Sequence, residues 1–291
     1  MSHHHQHHSS SKNLGIAFFL NLVFTIIEFI GGYWVNSVAI ISDAVHDLGD
    51  SLSLGFAWVL ERKAIKSPSK RFSFGYRRFS LLGALINSII LVLGSIFVIR
   101  EAILRLQEPQ NPDASGMFFL ALLGVAVNGY AAWKVSFGRT LNEKVITWHL
   151  LEDVLGWVAV LIASMAIYFW EIPLLDPILS LAITFFILWN VIRRIKETLL
   201  IFLQSQPAEI DRELLEKKLL QIPGISSIHH THIWSLDGER HVFSTHLKLK
   251  NVNSLEEIAR IKQAVKKQLE PFHFEHITLE TELEGDLCEF E

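Results

Sequence analysis

Half of the 291 residues are hydrophobic, only 19% are charged, 20 are Phe and the mean hydropathy is +0.33. That balance excludes an ordinary soluble protein of this length. A net charge of −4 and a pI near 6.4, with no basic stripe, exclude nucleic acid as a partner, and the single cysteine, Cys288, excludes an internal disulfide and a thiolate zinc finger.

Residues 3–8 read His-His-His-Gln-His-His and run into three serines, a tract that cannot pack a core. Within a predicted tail of residues 1–13 it reads as a metal-collecting segment or an affinity tag, with Gln6 favouring the former. No basic n-region or small-residue cleavage site precedes the first apolar run, which therefore reads as a span rather than a signal peptide. Apolar segments of membrane-crossing length follow at 14–35, 38–60, 81–104, 116–137, 145–170 and 174–192. The expected architecture is an α-helical membrane protein with a six-helix transmembrane bundle over 14–206. Basic residues crowd the connection between the second and third spans (Arg62, Lys63, Lys66, Lys70, Arg71, Arg77, Arg78). They recur between the fourth and fifth (Lys134, Arg139, Lys144) and after the sixth (Arg193, Arg194, Lys196). The turns after the first and fifth spans carry none, so both termini are expected to be cytoplasmic.

The second span holds Asp43, His46, Asp47 and Asp50. Each ionisable group at the middle of a membrane helix costs about 2.5–3.5 kcal/mol on insertion scales. His46 and Asp50, at i and i+4, point from one helix face. His149 and Asp153 repeat the spacing on the fifth span. Together the pairs supply two nitrogens and two carboxylate oxygens, a donor set suited to a tetrahedral zinc-type ion and placed near mid-depth. Asp43 shares the His46 stripe and is a candidate for touching the ion or its proton path, or else for a packing hydrogen bond. Asp47 and Glu152 are rotated away.

Other polar groups lie in the spans. Asn21 and Glu28 share a face of the first, with Asn87 on the third and Asn128 on the fourth. The asparagines fit interhelical hydrogen bonding, and Glu28 is a candidate proton relay. Asp176 before Pro177 reads as the N-cap of the sixth span.

From residue 207 to 291 the composition becomes that of a small soluble domain. The pattern predicts a helix over 208–222, strands over 227–236 and 240–249 joined at Asp237-Gly238, a helix over 255–269 capped by Ser254, and a strand over 276–283. The order αββαβ implies a small α+β, ferredoxin-like layer. Strict alternation turns Ile233, Phe243, Leu247, Leu249, Ile277 and Leu279 to the helices. It leaves His230, His232, His246, His276, Glu280 and Glu282 on an open face, a plausible second metal site, a dimer surface or simply a solvated face.

These residues resemble the cation diffusion facilitator family of divalent-metal exporters. The likeness rests on Asn21 to Gly32, Ser42 to Asp50, Phe74-Gly75-Tyr76-Arg77-Arg78, His149 to Asp153, Asp176-Pro177 and His229 to Trp234. It implies a homodimer in lipid that exchanges metal for protons through His46, Asp50, His149 and Asp153, and the compact length suggests a bacterial inner membrane rather than an organelle. It also implies His232, His246 and Glu282 as cytoplasmic ligands. Zn²⁺ is the expected ion, both as cargo and in the cytoplasmic domain, with H⁺ as the counter-ion and cadmium or cobalt as further cargo. Ser80 stands where many relatives carry an acid, so no role of that carboxylate transfers. The absence of HExxH and of a Ser/His or Cys/His nucleophile argues against an enzyme. A membrane metal sensor or scaffold, binding an ion without moving it, is the alternative.

Overall fold

The computed structural model describes residues 6–64, 69–136, 141–283 and 286. Only the backbone is described for residues 6–17, 57, 58, 60–64, 135, 141–146, 148 and 149. The side chains of the histidine-rich tract, of His149 and of Cys288 therefore lie outside the described residues. The chain divides into two compact units, Met1–Lys66 with Gly83–Ile195, and Ser67–Leu82 with Lys196–Glu291.

Six long helices stand where the six apolar segments were expected: α1 Gln6–Trp34, α2 Val38–Ala64, α3 Arg78–Gln107, α4 Ala114–Ser136, α5 Leu141–Trp170 and α6 Leu175–Phe202. Among the described residues, α3, α4, α5 and α6 contain stretches long and apolar enough to cross a bilayer, and α1 contributes the shorter apolar stretch Phe18–Trp34. The second helix differs because Asp43, Asp47 and Asp50 lie along it. Large apolar side chains such as Leu93, Phe119, Ile162 and Trp189 are exposed on the first unit, as expected where lipid is the solvent.

Helices α1 and α2 pack together, as do α4 and α5. One cluster joins all four through Val35, Ala39, Ile40, Met117, Ala121, Trp157 and Val160, with Phe24 of α1 packed against it. A Cβ at Gly124 would stand 2.1 Å from the Trp157 indole, so the absence of a side chain there seats the largest buried residue. Two further clusters fasten α2 to α3 and α6 through Val38, Val45, Leu91, Val98, Ala102, Leu181, Ile187 and Val191.

Polar contacts set the position of α2. Ser37 is its N-cap, with Oγ accepting from the Ile40 N–H at 3.2 Å. Asp176, in the first turn of α6, accepts from the Ser37 hydroxyl at 2.5 Å and from the Val38 and Ala39 N–H groups at 2.8 and 3.2 Å. The expectation that Asp176 caps its own helix is thereby corrected: it caps α2, whose free N–H groups a neighbouring carboxylate can reach. Ser180 continues the stripe by donating to the Val38 carbonyl at 3.3 Å, and Thr184 meets Ser42 at 2.8 Å. Asp176, Ser180 and Thr184 are spaced by four residues, so one face of α6 grips α2 over two turns.

The second unit contains α7 Arg212–Leu219, β1 Ile225–Ser235, β2 His241–Leu249, α8 Leu255–Leu269, a 3-10 turn Glu270–Phe272 and β3 Phe274–Glu282. The first helix begins later than residue 208 because Asp211 caps it, accepting from the Leu214 N–H at 3.0 Å. Ser254 caps α8 as expected, accepting from the Glu257 N–H at 3.2 Å. The sheet order is β1-β2-β3, with β1 antiparallel and β3 parallel to β2, so α8 is the crossover. At the hairpin, Gly238 has φ +100° and Asp237 Oδ1 accepts from the Glu239 and Arg240 N–H groups. Leu215, Leu219, Ile233, Phe243, Leu247, Val265 and Leu269 form the core on the helix side.

The motif Phe74 to Arg78 belongs to this second unit. Gly75 takes φ +77°, Arg77 pairs with Glu275 at 3.2 Å and Asp237 at 3.9 Å, and Phe74 meets the His276 ring edge-on at 5.8 Å.

Replacing Asp176 with Ala strands two N–H groups and a hydroxyl at the start of α2, a loss of about 1–3 kcal/mol. The expected outcome is a thermal midpoint lower by several degrees for the detergent-solubilised chain, with a smaller drop for Asp176→Asn. An unchanged midpoint for both would remove the contact from the account of how α2 is held.

Candidate metal centre

Helical spacing gives α2 two polar faces, because residues four apart align. His46 and Asp50 lie on one, and their Nε2 and Oδ2 are 3.6 Å apart. The same Nε2 stands 3.9 Å from Asp153 Oδ1 on α5. Donors each about 2.0–2.2 Å from a tetrahedral zinc ion stand roughly 3.3–3.6 Å apart; the His46–Asp50 separation matches that spacing and the His46–Asp153 separation is slightly wider. The structure thus brings together His46, Asp50 and Asp153. His149 lies on the same helix as Asp153, four residues earlier, with its side chain outside the described residues.

The three groups line a cavity of about 330 Å³. Leu91 from α3 and Ile183, Phe186 and Ile187 from α6 give it largely apolar walls, a setting that strengthens charge interactions inside. Asp43, 6% exposed, also borders the cavity, and a Cβ on Gly156 of α5 would lie 3.7 Å from its Oδ1. Glu152 lines the cavity too, contrary to the expectation that it turns away. Asn190 and Arg194 on α6 border the same space. Sequence spacing had no means of finding them, because they share no repeat with the His/Asp pairs and their helix had to be docked first.

Close approach of α2 and α3 shapes this wall. A Cβ at Gly49 would be 2.6 Å from Leu91, and one at Gly94 would be 2.5 Å from Val45. Small residues at such crossings let membrane helices pack without a hydrophobic drive between them.

The other membrane asparagines divide. Asn21 donates to the Asp47 carbonyl and Ser51 Oγ, and Asn87 donates to Ser53 Oγ, all between helices. Asn128 instead donates to the Gly124 carbonyl of its own helix at 3.3 Å, which corrects the interhelical role expected of it.

In the second unit, His229, His246 and Glu282 place one ligand atom each within 4.8 Å of one another. Glu282 Oε1 lies 2.8 Å from His246 Nδ1 and 3.1 Å from His229 Nε2. Burial works to raise the Glu282 pKa, but these hydrogen bonds and the adjacent imidazoles outweigh it and hold the carboxyl below its usual value. His246 Nε2 also meets Glu280 at 3.5 Å.

His232 is not in this group. It is exposed and pairs with Ser244, whereas His229 pairs with His246. The register shifts between His229 and His232, and His230 within that bulge takes φ +48°. Thr231 is driven inward, its hydroxyl 2.9 Å from that of Thr245. One extra residue reverses the alternation upstream, so His229 reaches the face that strict parity denied it.

Two family models match in tandem. Residues 14–203 match the cation efflux transmembrane domain, and residues 207–284 match the cation efflux protein cytoplasmic domain. The chain belongs to the cation efflux family. Similar proteins include a cadmium, cobalt and zinc/H(+)-K(+) antiporter of Bacillus subtilis (strain 168), 32% identical over 98% of this chain and 93% of its own length. The zinc transporter ZitB of Pectobacterium atrosepticum is 32% identical over 100% of this chain and 92% of its own. The metal cation efflux system protein CzcD of Cupriavidus metallidurans is 32% identical over 97% and 90%. These are transporters by name, and the helical region of this cation efflux protein is its membrane domain.

With the transmembrane carboxylates removed (Asp50→Ala with Asp153→Ala), zinc titration of the purified chain isolates the His229/His246/Glu282 group. Adding His229→Ala is expected to weaken the remaining binding at least as much as loss of an outer-shell partner does, roughly 10–100-fold. His232→Ala is expected to leave it little changed. The opposite ranking would move the ligand set along β1.

Proposed function

We propose that this cation efflux protein exports a divalent metal ion, Zn²⁺ above others, from the cytoplasm in exchange for protons. The observation that carries the reading is the convergence of His46, Asp50 and Asp153 from two helices on one cavity. His149 completes the proposed transport site as the second imidazole. Two carboxylates balance the charge of a divalent ion, and two imidazoles supply borderline-soft nitrogen that Mg²⁺ and Ca²⁺ use poorly. The names of the relatives, which specify zinc, cadmium, cobalt and H(+), support this cargo and counter-ion.

The exchange follows from the ligands. A metal binds deprotonated carboxylates and neutral imidazoles, so protons compete for the same atoms. If the loaded site opens to one side and the protonated site to the other, inward proton flow drives outward metal flow. The crowding of basic residues around the α2–α3 and α4–α5 connections and in the later part of α6 supports cytoplasmic termini, and the bacterial relatives support an inner-membrane location. A homodimer is part of the proposal. So is a cytoplasmic metal site at His229, His246 and Glu282, where bound Zn²⁺ tightens the dimer and biases transport.

Proteoliposomes with a proton gradient and an entrapped zinc dye test the reading. Uphill zinc flux is expected from the wild-type chain, to vanish when the gradient is collapsed, and to be absent in Asp50→Ala and Asp153→Ala. Metal binding without flux in the wild type would instead make the protein a sensor.

A further inference from the structure

The cavity that gathers His46, Asp50 and Asp153 has two unlike walls. Helices α2 and α5 bring its carboxylates, Asp43, Asp50, Glu152 and Asp153. Helix α6 brings Ile183, Ile187, Asn190, Val191 and Arg194, which fall at i, i+4, i+7, i+8 and i+11 and so share one stripe. Apart from the Asn190 carboxamide the stripe is apolar until it ends on a guanidinium. Arg194 is the one Lys or Arg among the described residues that line the cavity.

Contacts earlier on the same helices fix its level. Thr184 of α6 meets Ser42 of α2 at 2.8 Å, and Ile187 and Val191 pack in one cluster with Val45, so the two helices run alongside in the same direction. From the Ser42–Thr184 contact, Asp50 is about 12 Å along α2 and Arg194 about 15 Å along α6. Arg194 therefore stands about 3 Å past the level of Asp50, at the end of the cavity nearer the C-terminus of α6. A cation facing four carboxylates would be expected to pair with one, yet among the described residues Arg194 makes no ion pair or hydrogen bond. Arg105 on α3, by contrast, is bound to Glu101 and to the Asn36 carbonyl. A side chain that only anchored α6 at lipid headgroups would have no reason to lie on the cavity stripe, and the adjacent Arg193 lies off it.

We propose that Arg194 is a specificity-determining residue, a permanent positive charge that opposes every cation entering the cavity and leaves firmly held only an ion with additional bonds to imidazole nitrogen. Four carboxylates in one enclosure are oxygen donors that suit Mg²⁺ and Ca²⁺ as well as zinc. Hard ions are held there by charge alone, and the apolar walls carry the guanidinium's field with less screening than water would. Zinc, cadmium and cobalt meet the same opposition but keep the bond to His46 Nε2. Arg194 thus lowers the cavity's affinity for divalent charge as such, and the histidine supplies the difference between ions. This inference rests on the transport site proposed above and adds the residue that limits how tightly that site holds its cargo.

Titration of the purified full chain with Zn²⁺ and, separately, with Mg²⁺ tests this, the binding that Asp50→Ala with Asp153→Ala removes being assigned to the cavity. Arg194→Gln is expected to tighten both ions about five- to tenfold. Arg194→Glu is expected to tighten them further, and Arg194→Lys, which keeps the charge, to bind as the wild type does. In zinc-loaded proteoliposomes the half-saturating zinc concentration of Arg194→Gln falls in parallel, and Mg²⁺ inhibits it at concentrations that leave the wild type unaffected. Unchanged or weaker binding in Arg194→Gln and Arg194→Glu overturns the proposal. So does a gain confined to zinc, which would mean a changed ligand set and not a changed field, and so does an Arg194→Lys that behaves like Arg194→Gln. If Asp50→Ala with Asp153→Ala removes no zinc binding from the wild-type chain, the transport site itself is defeated, whatever the Arg194 series shows.

Discussion

Carboxylates inside an apolar helix bundle are the constraint that organises the first unit. Helix α2 carries three of them and a histidine within eight residues, Asp43 to Asp50, and any of these turned toward lipid would be strongly unfavourable. The helix period resolves the conflict by sorting them. His46 and Asp50 turn toward α5 and the cavity, Asp47 and Ser51 turn toward α1, and Asp43 lies at the boundary. A rotation of α2 by one residue, about 100°, would destroy that sorting. The grip of Asp176, Ser180 and Thr184 on the start of α2 fixes this rotation, and so the polar stripe on α6 matters to a site it does not itself ligate.

Lipid offers no hydrophobic reward for pressing one apolar helix against another, so association rests on close packing and interhelical hydrogen bonds. Both are present around α2. Gly49 and Gly94 admit Leu91 and Val45 at distances no Cβ allows, while Asn21 and Asn87 bond hydroxyls across helices. The aromatic ends agree with this solvent: Tyr33 and Trp34 close α1, and Tyr168, Phe169 and Trp170 close α5, all largely exposed, as amphipathic rings are at a bilayer interface.

What could be read from the residues was whatever depended on period alone. The long apolar runs, the i, i+4 placement of His46 with Asp50, and the Ser254 cap are local patterns, and each stands as expected. The misreadings arose where a partner distant in sequence decided the outcome. Asp176 looked like a cap for its own helix because Pro177 follows it, and only the approach of α2 reveals which N–H groups it serves. Among the described residues Asn128 hydrogen-bonds to no neighbouring helix and donates to Gly124 of its own. Alternation offers His232 rather than His229 as the partner of His246 and Glu282 because it assumes one residue per step, and the bulge at His230 adds one.

That bulge also bears on the metal centre proposed for the second unit. The core of the domain, Phe243, Leu247, Val265 and Leu269 among others, lies on the opposite face of the sheet from His229, His246 and Glu282. No ion is needed to close it, unlike a zinc finger, whose fold is the metal's own binding energy. The same three side chains bond one another through Glu282. An ion entering there replaces those bonds and displaces whatever proton the imidazoles share with the carboxylate. Its affinity is therefore a difference between two satisfied states. The proposed site would respond to metal concentration and pH without the domain unfolding when it empties, the behaviour required of a group that tracks metal supply and does not merely staple a fold.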